Sequence, residues 1–231
     1  MKRCVIALCG ESFRTGGQNS RAIGGNLSYE SQKSASLGIV RLCDMLEKNG
    51  YDPIIISETY RTEHTEDLKQ WLFPHLYDFS ILSGENEADS GIQWRNVKKV
   101  LSKAYEISPE ADFVFLTRHD MILKDFFYQT FDPNWDRIMW PCITWKVWDR
   151  TPLGNPRVVD TMHFIPGKYV QKFLKLNYFG HDIWDFISPI VGYDSMGFMV
   201  NTQHDSDPAK DWNPLYLMAG RPEANGPTYY P

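Results

Sequence analysis

A strand-end aspartate, a polar glycine-rich loop and a pair of acids three residues apart are the parts of this sequence that chemistry can use. Asp120 closes the run Phe113-Val-Phe-Leu-Thr-Arg-His-Asp120. An acid that follows a continuous apolar strand stands at its carboxyl end, where open α/β sheets bind their ligands. A carboxylate there can hold a divalent cation, and the cation can neutralise a diphosphate as it leaves. On position alone, Asp120 serves equally well as an N-cap or loop acid.

The loop Glu11-Ser-Phe-Arg-Thr-Gly-Gly-Gln-Asn-Ser-Arg21 follows the first apolar run. Ser12, Arg14, Gly16, Gly17 and Arg21 can bind phosphate through side chains, backbone N–H groups and the helix that follows. It carries neither Gly-Lys-Ser/Thr nor Gly-x-Gly-x-x-Gly, so it is not one of the standard nucleotide loops. In His181-Asp-Ile-Trp-Asp185 the acids Asp182 and Asp185 share one helical face. They suit a base that activates a hydroxyl, and they equally suit the positive end of a helix dipole. Asp160, just before Thr161-Met-His163, is either a sugar contact or a strand-edge acid. Trp140, Trp145 and Trp148 can stack on an acceptor sugar, but large aromatics more often fill a core.

Apolar runs alternating with helical patterns must position these groups. Strands are expected at Cys4–Leu8, Pro53–Ser57, Phe79–Leu82 and Phe113–Leu116. Between them lie a helix after Ser28 with Ala35, Ile39, Cys43 and Leu46 on one face, a helix over Thr65–Leu72, and a helix carrying Trp94, Val97, Leu101 and Ala104. This order predicts an α/β protein with a mostly parallel central sheet, flanked by helices and joined by right-handed crossovers. After Asp120, short aromatic runs at 138–145, 158–165 and 197–201, with helices at 168–176 and 181–187, predict a smaller mixed half. The tail from Asp205 is rich in Pro, Asn and Gly and is expected to wrap the surface.

The 231 residues suffice for one good-sized domain, and 42% hydrophobic content is enough to build its core. A net charge of -5 argues against a nucleic-acid binder, which needs many cation–phosphate contacts. Cys4, Cys9, Cys43 and Cys142 show no Cys-x-x-Cys spacing and read as reduced core residues. No stretch is long enough to span a bilayer, and the run Cys4–Cys9 is too short for a secretion signal. A cytoplasmic location is expected, in the host cytoplasm if the chain is viral.

The stretch Trp94-Arg-Asn-Val, followed by Ala111-Asp-Phe-Val-Phe-Leu-Thr-Arg-His-Asp120, resembles the core signature of GT-A glycosyltransferases. In that family an Arg-Asn pair opens the helix before an apolar strand that ends in Asp-x-Asp. Here the motif reads Arg118-x-Asp120: arginine replaces the first acid and cannot bind a cation, but it can contact a diphosphate. A Gly-x-Ser-Phe-Arg opening is similar to sugar transferases of large DNA viruses, algae and bacteria.

The resemblance implies a single GT-A-like (Rossmann-like) domain over 1–231, with 1–120 as the nucleotide-sugar half and 121–231 as the acceptor half and tail. It implies transfer of a hexosyl or pentosyl group from a nucleoside diphosphate sugar to a glycan or glycoprotein acceptor, assisted by Mn²⁺ or Mg²⁺. Asp120 and His204 would hold the metal. Ser12, Arg14, Arg21, Arg95, Arg118, Asp120 and Asp160 would bind the donor, and Asp182, or else Asp185, would be the base. A sugar-phosphate nucleotidyltransferase and a non-catalytic carbohydrate- or nucleotide-binding domain are the alternatives.

Overall fold

The structure is a computed structural model that describes residues 1–10, 12–13, 26–82, 90–144, 155–177, 182–204 and 212–219, with backbone alone for 26–28 and 90–94. Strand β1 (Lys2–Cys9), helix α1 (Asn26–Lys48), β2 (Tyr51–Thr59), α2 (Thr65–Leu72), β3 (Leu76–Ile81), α3 (Ser90–Ile107) and β4 (Phe113–Arg118) follow in turn. The expected β/α alternation is therefore present. The second half supplies β5 (Met121–Leu123), α4 (Asp125–Thr130), β6 (Ile138–Trp140), β7 (Ile143–Thr144) and β8 (Met162–Pro166). Then come α5 (Gly167–Leu174), α6 (Ile183–Val191), β9 (Met196–Phe198), β10 (Gln203–His204) and β11 (Tyr216–Met218).

Among the described residues, seven strands form the central sheet in the order β3-β2-β1-β4-β8-β6-β9. The first four are parallel, and β8 runs antiparallel to β4. Side-chain alternation divides β1 between two cores. Cys4, Ile6 and Leu8 pack with Ile39, Leu42, Cys43 and Leu46 of α1. Val5, Ala7 and Cys9 pack with Val100, Leu101 and Ala104 of α3. Burial on both faces explains why this strand reads as an unbroken apolar run. Each fully buried aliphatic side chain contributes about 1.5–3 kcal/mol.

The turn after α1 works as expected. Gly50 adopts φ +84°, and its N–H reaches the Glu47 carbonyl at 2.9 Å. A left-handed glycine just past a helix is the usual stop. At the β8–α5 corner, a Cβ on Gly167 would lie 2.0 Å from the Ala111 carbonyl oxygen. Only glycine allows this backbone approach, which ties the start of α5 to the start of β4.

Two expectations change. The third strand begins at Leu76 rather than Phe79, because an edge strand needs no apolar run to pair. Part of the tail also enters the core: β11 pairs antiparallel with β5, and Leu215 and Tyr216 are fully buried. All four cysteines are buried thiols outside any disulfide. No helix among the described residues is long and apolar enough to cross a membrane.

Candidate functional site

The carboxyl ends of β1, β2 and β4 lie side by side. In register, Cys9 faces Glu58 across one ladder and Arg118 across the other. Glu58 and Arg118 continue the alternation of Ile56 and Leu116, so the row Glu58–Cys9–Arg118 belongs to the α3 face of the sheet. One residue earlier or later, the α1 face carries Ser57 and His119.

Asp120 is 1% exposed, and Arg118 grips it as a fork. Nε donates to Oδ1 at 2.8 Å and an Nη to Oδ2 at 2.7 Å. Burial alone works against the Arg118 cation, but Asp120, aided by Asp160, outweighs it and holds the guanidinium charged. Arg118, Asp120 and Asp160, all expected at the donor site, are thus brought into one electrostatic cluster. At the backbone, the Ala219 N–H donates to the Asp120 carbonyl at 2.7 Å, which extends the β5–β11 pairing.

Asp160 is positioned by a chain of hydrogen bonds. The Trp140 indole N–H donates to His163 Nδ1 at 2.9 Å, so the ring must donate from Nε2, which lies 3.1 Å from the Asp160 carbonyl. Burial pushes the His163 pKa down to about 4, which keeps this tautomer neutral. Trp140 is itself fully buried and so is a core residue; Trp145 and Trp148 lie outside the described residues.

Burial also lowers His119 to about 4. Its carbonyl accepts from Gln32 Nε2 at 2.8 Å, and Gln32 Oε1 accepts the Phe13 N–H at 3.1 Å. Phe13 is therefore latched to the end of β4 through Gln32. Ser12 belongs to the same latch: its N–H and hydroxyl both meet Thr59 Oγ1, at 3.2 and 2.9 Å. Phe13, at φ +59°, packs among Tyr29, His64 and Trp71. Arg14 and Arg21 lie outside the described residues, and Arg95 is exposed on α3.

Glu58 is a site residue that the sequence reading missed. It is fully buried, and among the described residues neither carboxylate oxygen accepts a hydrogen bond within normal distance. Lys99 Nζ stands 3.5 Å from Oε1. Burial raises the Glu58 pKa, while Lys99 and Lys103 restrain the rise. The signal was present in Pro53-Ile-Ile-Ile-Ser-Glu58: an acid at the end of an apolar strand, as in Asp120.

Asp182 and Asp185 form their own cluster at the start of α6. Asp182 Oδ1 accepts from Arg157 Nε at 2.7 Å, and Asp185 Oδ1 from Asn155 Nδ2 at 2.6 Å. His204 lies on β10, beside β7, with Nε2 2.9 Å from Thr202 Oγ1. Asp120 and His204 do not fall in one group of three ligand-bearing side chains among the described residues. The group that does form is Asp44, Glu47 and His75, elsewhere in the fold. As arranged, each oxygen of Asp120 accepts one hydrogen bond from the Arg118 guanidinium, which sets a positive charge where a metal ion would bind.

No protein-family model and no curated protein matches the sequence. Among solved structures, the chain is similar to a protein from Desulfovibrio desulfuricans described as a nucleotide-diphospho-sugar transferase. That likeness has 10% identity and TM-score 0.49, covering 89% of this chain and 82% of that one. It is also similar to HddC from Yersinia pseudotuberculosis, with 14% identity, TM-score 0.45 and coverage of 96% and 95%. A third is a glycosyltransferase involved in glycosylation of the major capsid of PBCV-1, with 8% identity, TM-score 0.39 and coverage of 89% and 81%. By its own topology, four parallel strands ordered 3-2-1-4 and followed by an antiparallel one, the chain has an α/β fold built on a mostly parallel central sheet.

Proposed function

We propose that this chain transfers a sugar from a nucleoside diphosphate sugar to a hydroxyl of a glycan or glycoprotein acceptor. The observation that carries the reading is the charged Arg118 held by buried Asp120 at the end of a central strand. The 1–120 half would bind the donor and the 121–231 half the acceptor.

In this reading the donor diphosphate lies against Arg118. The guanidinium is planar and always charged; its Nε–Nη edge holds Asp120, and its other Nη donors can turn to phosphate oxygens. Its positive charge stabilises the charge that develops on the leaving diphosphate. Asp120 and Asp160 keep the guanidinium oriented. Because Asp120 is taken up by Arg118, no step is assigned to Mn²⁺ or Mg²⁺. Glu58 is suited to accept hydrogen bonds from the nucleoside, since among the described residues only Lys99, at 3.5 Å, approaches its carboxylate as a cation. Asp182 or Asp185 takes the proton from the attacking hydroxyl. Asp185 faces a neutral amide, whereas Asp182 is paired with the Arg157 cation, so Asp185 is the acid we assign as the base.

The test is a screen of nucleoside diphosphate sugars for donor hydrolysis, run on wild type and Arg118→Ala with and without EDTA. The reading expects turnover that EDTA spares and the variant loses by about 10²-fold or more. Equal turnover by wild type and variant would remove Arg118 from the chemistry. An absence of turnover and of binding with every donor would end the proposal.

A further inference from the structure

At the opposite end of the sheet, three side chains that the proposed chemistry does not use converge on one point. Asp44 and Glu47 lie three residues apart near the end of α1, so they share a helical face. His75 precedes β3 and is locked in place: its carbonyl accepts the Ile55 N–H at 2.8 Å, and its side chain is 7% exposed. Nε2 lies 3.2 Å from Asp44 Oδ1, and Nδ1 lies 3.6 Å from Glu47 Oε1. One ligand atom from each residue lies within 4.8 Å of the others.

The imidazole poses a question of valence. A neutral ring carries one N–H, yet a carboxylate faces each of its nitrogens. One lone pair therefore points at an anion unless a second proton or a metal ion lies between, and Nε2 and Asp44 Oδ1 stand at hydrogen-bond distance. A cation between Nε2 and Asp44 removes the conflict, and Nδ1–H then donates towards Glu47. This is the carboxylate–histidine–metal arrangement, in which an outer acid fixes the tautomer of a ligating histidine. The spacing agrees. Bonds of 2.0–2.1 Å on a tetrahedral ion put two ligand atoms about 3.3 Å apart, and Nε2 and Oδ1 are 3.2 Å apart.

We infer that Asp44, Glu47 and His75 form a binding site for a divalent transition-metal ion of the Zn²⁺ class. Imidazole with carboxylate favours such an ion over Mg²⁺ or Ca²⁺, which prefer all-oxygen sets. Asp44 and His75 ligate it directly. Glu47 either orients the imidazole or, being long and half-exposed, swings in as a third ligand. The ion would tie the end of α1 to the entry of edge strand β3. It stabilises the fold and takes no part in transfer, because the amino ends of the strands lie away from Arg118 and Asp120.

The experiment is titration of the EDTA-stripped, nucleotide-free full chain with Zn²⁺ alone, followed by calorimetry and thermal unfolding. One equivalent should bind, and a hundredfold excess over Kd should raise Tm by about 5 °C or more. Mg²⁺ should give no shift. His75→Gln and Asp44→Asn should abolish binding, while Asp120→Asn should retain it. Asp44 is half-exposed, so its variant tests the site even if loss of the buried histidine disturbs folding. The inference is overturned if no saturable binding occurs, or if Asp44→Asn binds as wild type does. Loss of binding in Asp120→Asn alone would overturn it too, by placing the ion at the other end of the sheet.

Discussion

Arg118 and Asp120 meet through two near-parallel hydrogen bonds, 2.8 and 2.7 Å long, although one residue ends β4 and the other lies just beyond it. The pair occupies the place where the resembling family puts two acids. The acid is spent holding a cation that the chain itself supplies.

The pair should behave as a unit. Arg118→Ala leaves a carboxylate that is 1% exposed without its counter-charge, and breaking such a buried pair costs about 3 kcal/mol. Removing both partners avoids most of that penalty. Urea unfolding should therefore show Arg118→Ala strongly destabilised and Arg118→Ala/Asp120→Ala at least half restored, while both stay inactive. A double variant no more stable than the single would mean that the pair is not coupled.

Glu58 should trade stability for function. Its folded pKa is raised, so the native state binds a proton more readily than the unfolded chain. That makes the native state lose stability as pH climbs from the ordinary carboxylate range through the raised folded value. Glu58→Gln escapes the loss. At pH 7.5 the variant should be more stable by about 1 kcal/mol, and the gain should vanish near pH 4. If Glu58 contacts the nucleoside, the same variant should weaken nucleoside diphosphate binding about tenfold, roughly one charged hydrogen bond. A gain in stability with unchanged binding would leave Glu58 a structural oddity.

The sequence revealed the elements better than their partners. β1, β2 and β4 were legible because burial on both faces leaves continuous apolar runs. The direction of β8 was not, since an apolar run such as Met162–Ile165 has no polarity of its own, and only the sheet shows it antiparallel to β4. The burial of Tyr216 was hidden for a similar reason: one short strand among Pro, Asn and Gly reads as surface. At the site, Asp120 was legible as a strand-end acid, but its function as a clamp was not. Whether an arginine two residues away turns towards it depends on χ angles that no spacing encodes.

His163 predicts an acid limit for the fold. Its folded pKa is about 4, against about 6.5 in an unfolded chain. The folded pKa is depressed, so the unfolded state binds the extra proton between these values. Stability is then fully present above pH 6.5 and is lost as pH falls towards 4, by about 3 kcal/mol from this group. Protonation would also place a second donor at Nδ1, against the Trp140 N–H. His163→Asn keeps an acceptor without a titrating group. Its unfolding free energy should fall less steeply between pH 6.5 and 4 than that of wild type, and equal slopes would assign the acid sensitivity elsewhere.

Asp182 and Asp185 can be separated by their partners. Asparagine at either position keeps an acceptor oxygen for Arg157 or Asn155, so both variants should fold with little change in Tm. The kinetics should differ. Losing a general base lowers kcat by about 10²–10⁴-fold and removes the acidic limb of the kcat/KM profile. Asp185→Asn should do both. Asp182→Asn should lower kcat far less and leave the limb in place, because an aspartate that already holds Arg157 serves mainly to set the segment before β8 against α6. The reverse result would assign the base to Asp182 and make the Arg157 contact one that opens when the acceptor arrives. If both variants keep wild-type kcat and limb, the acceptor is activated outside this cluster and α6 has no part in the chemistry.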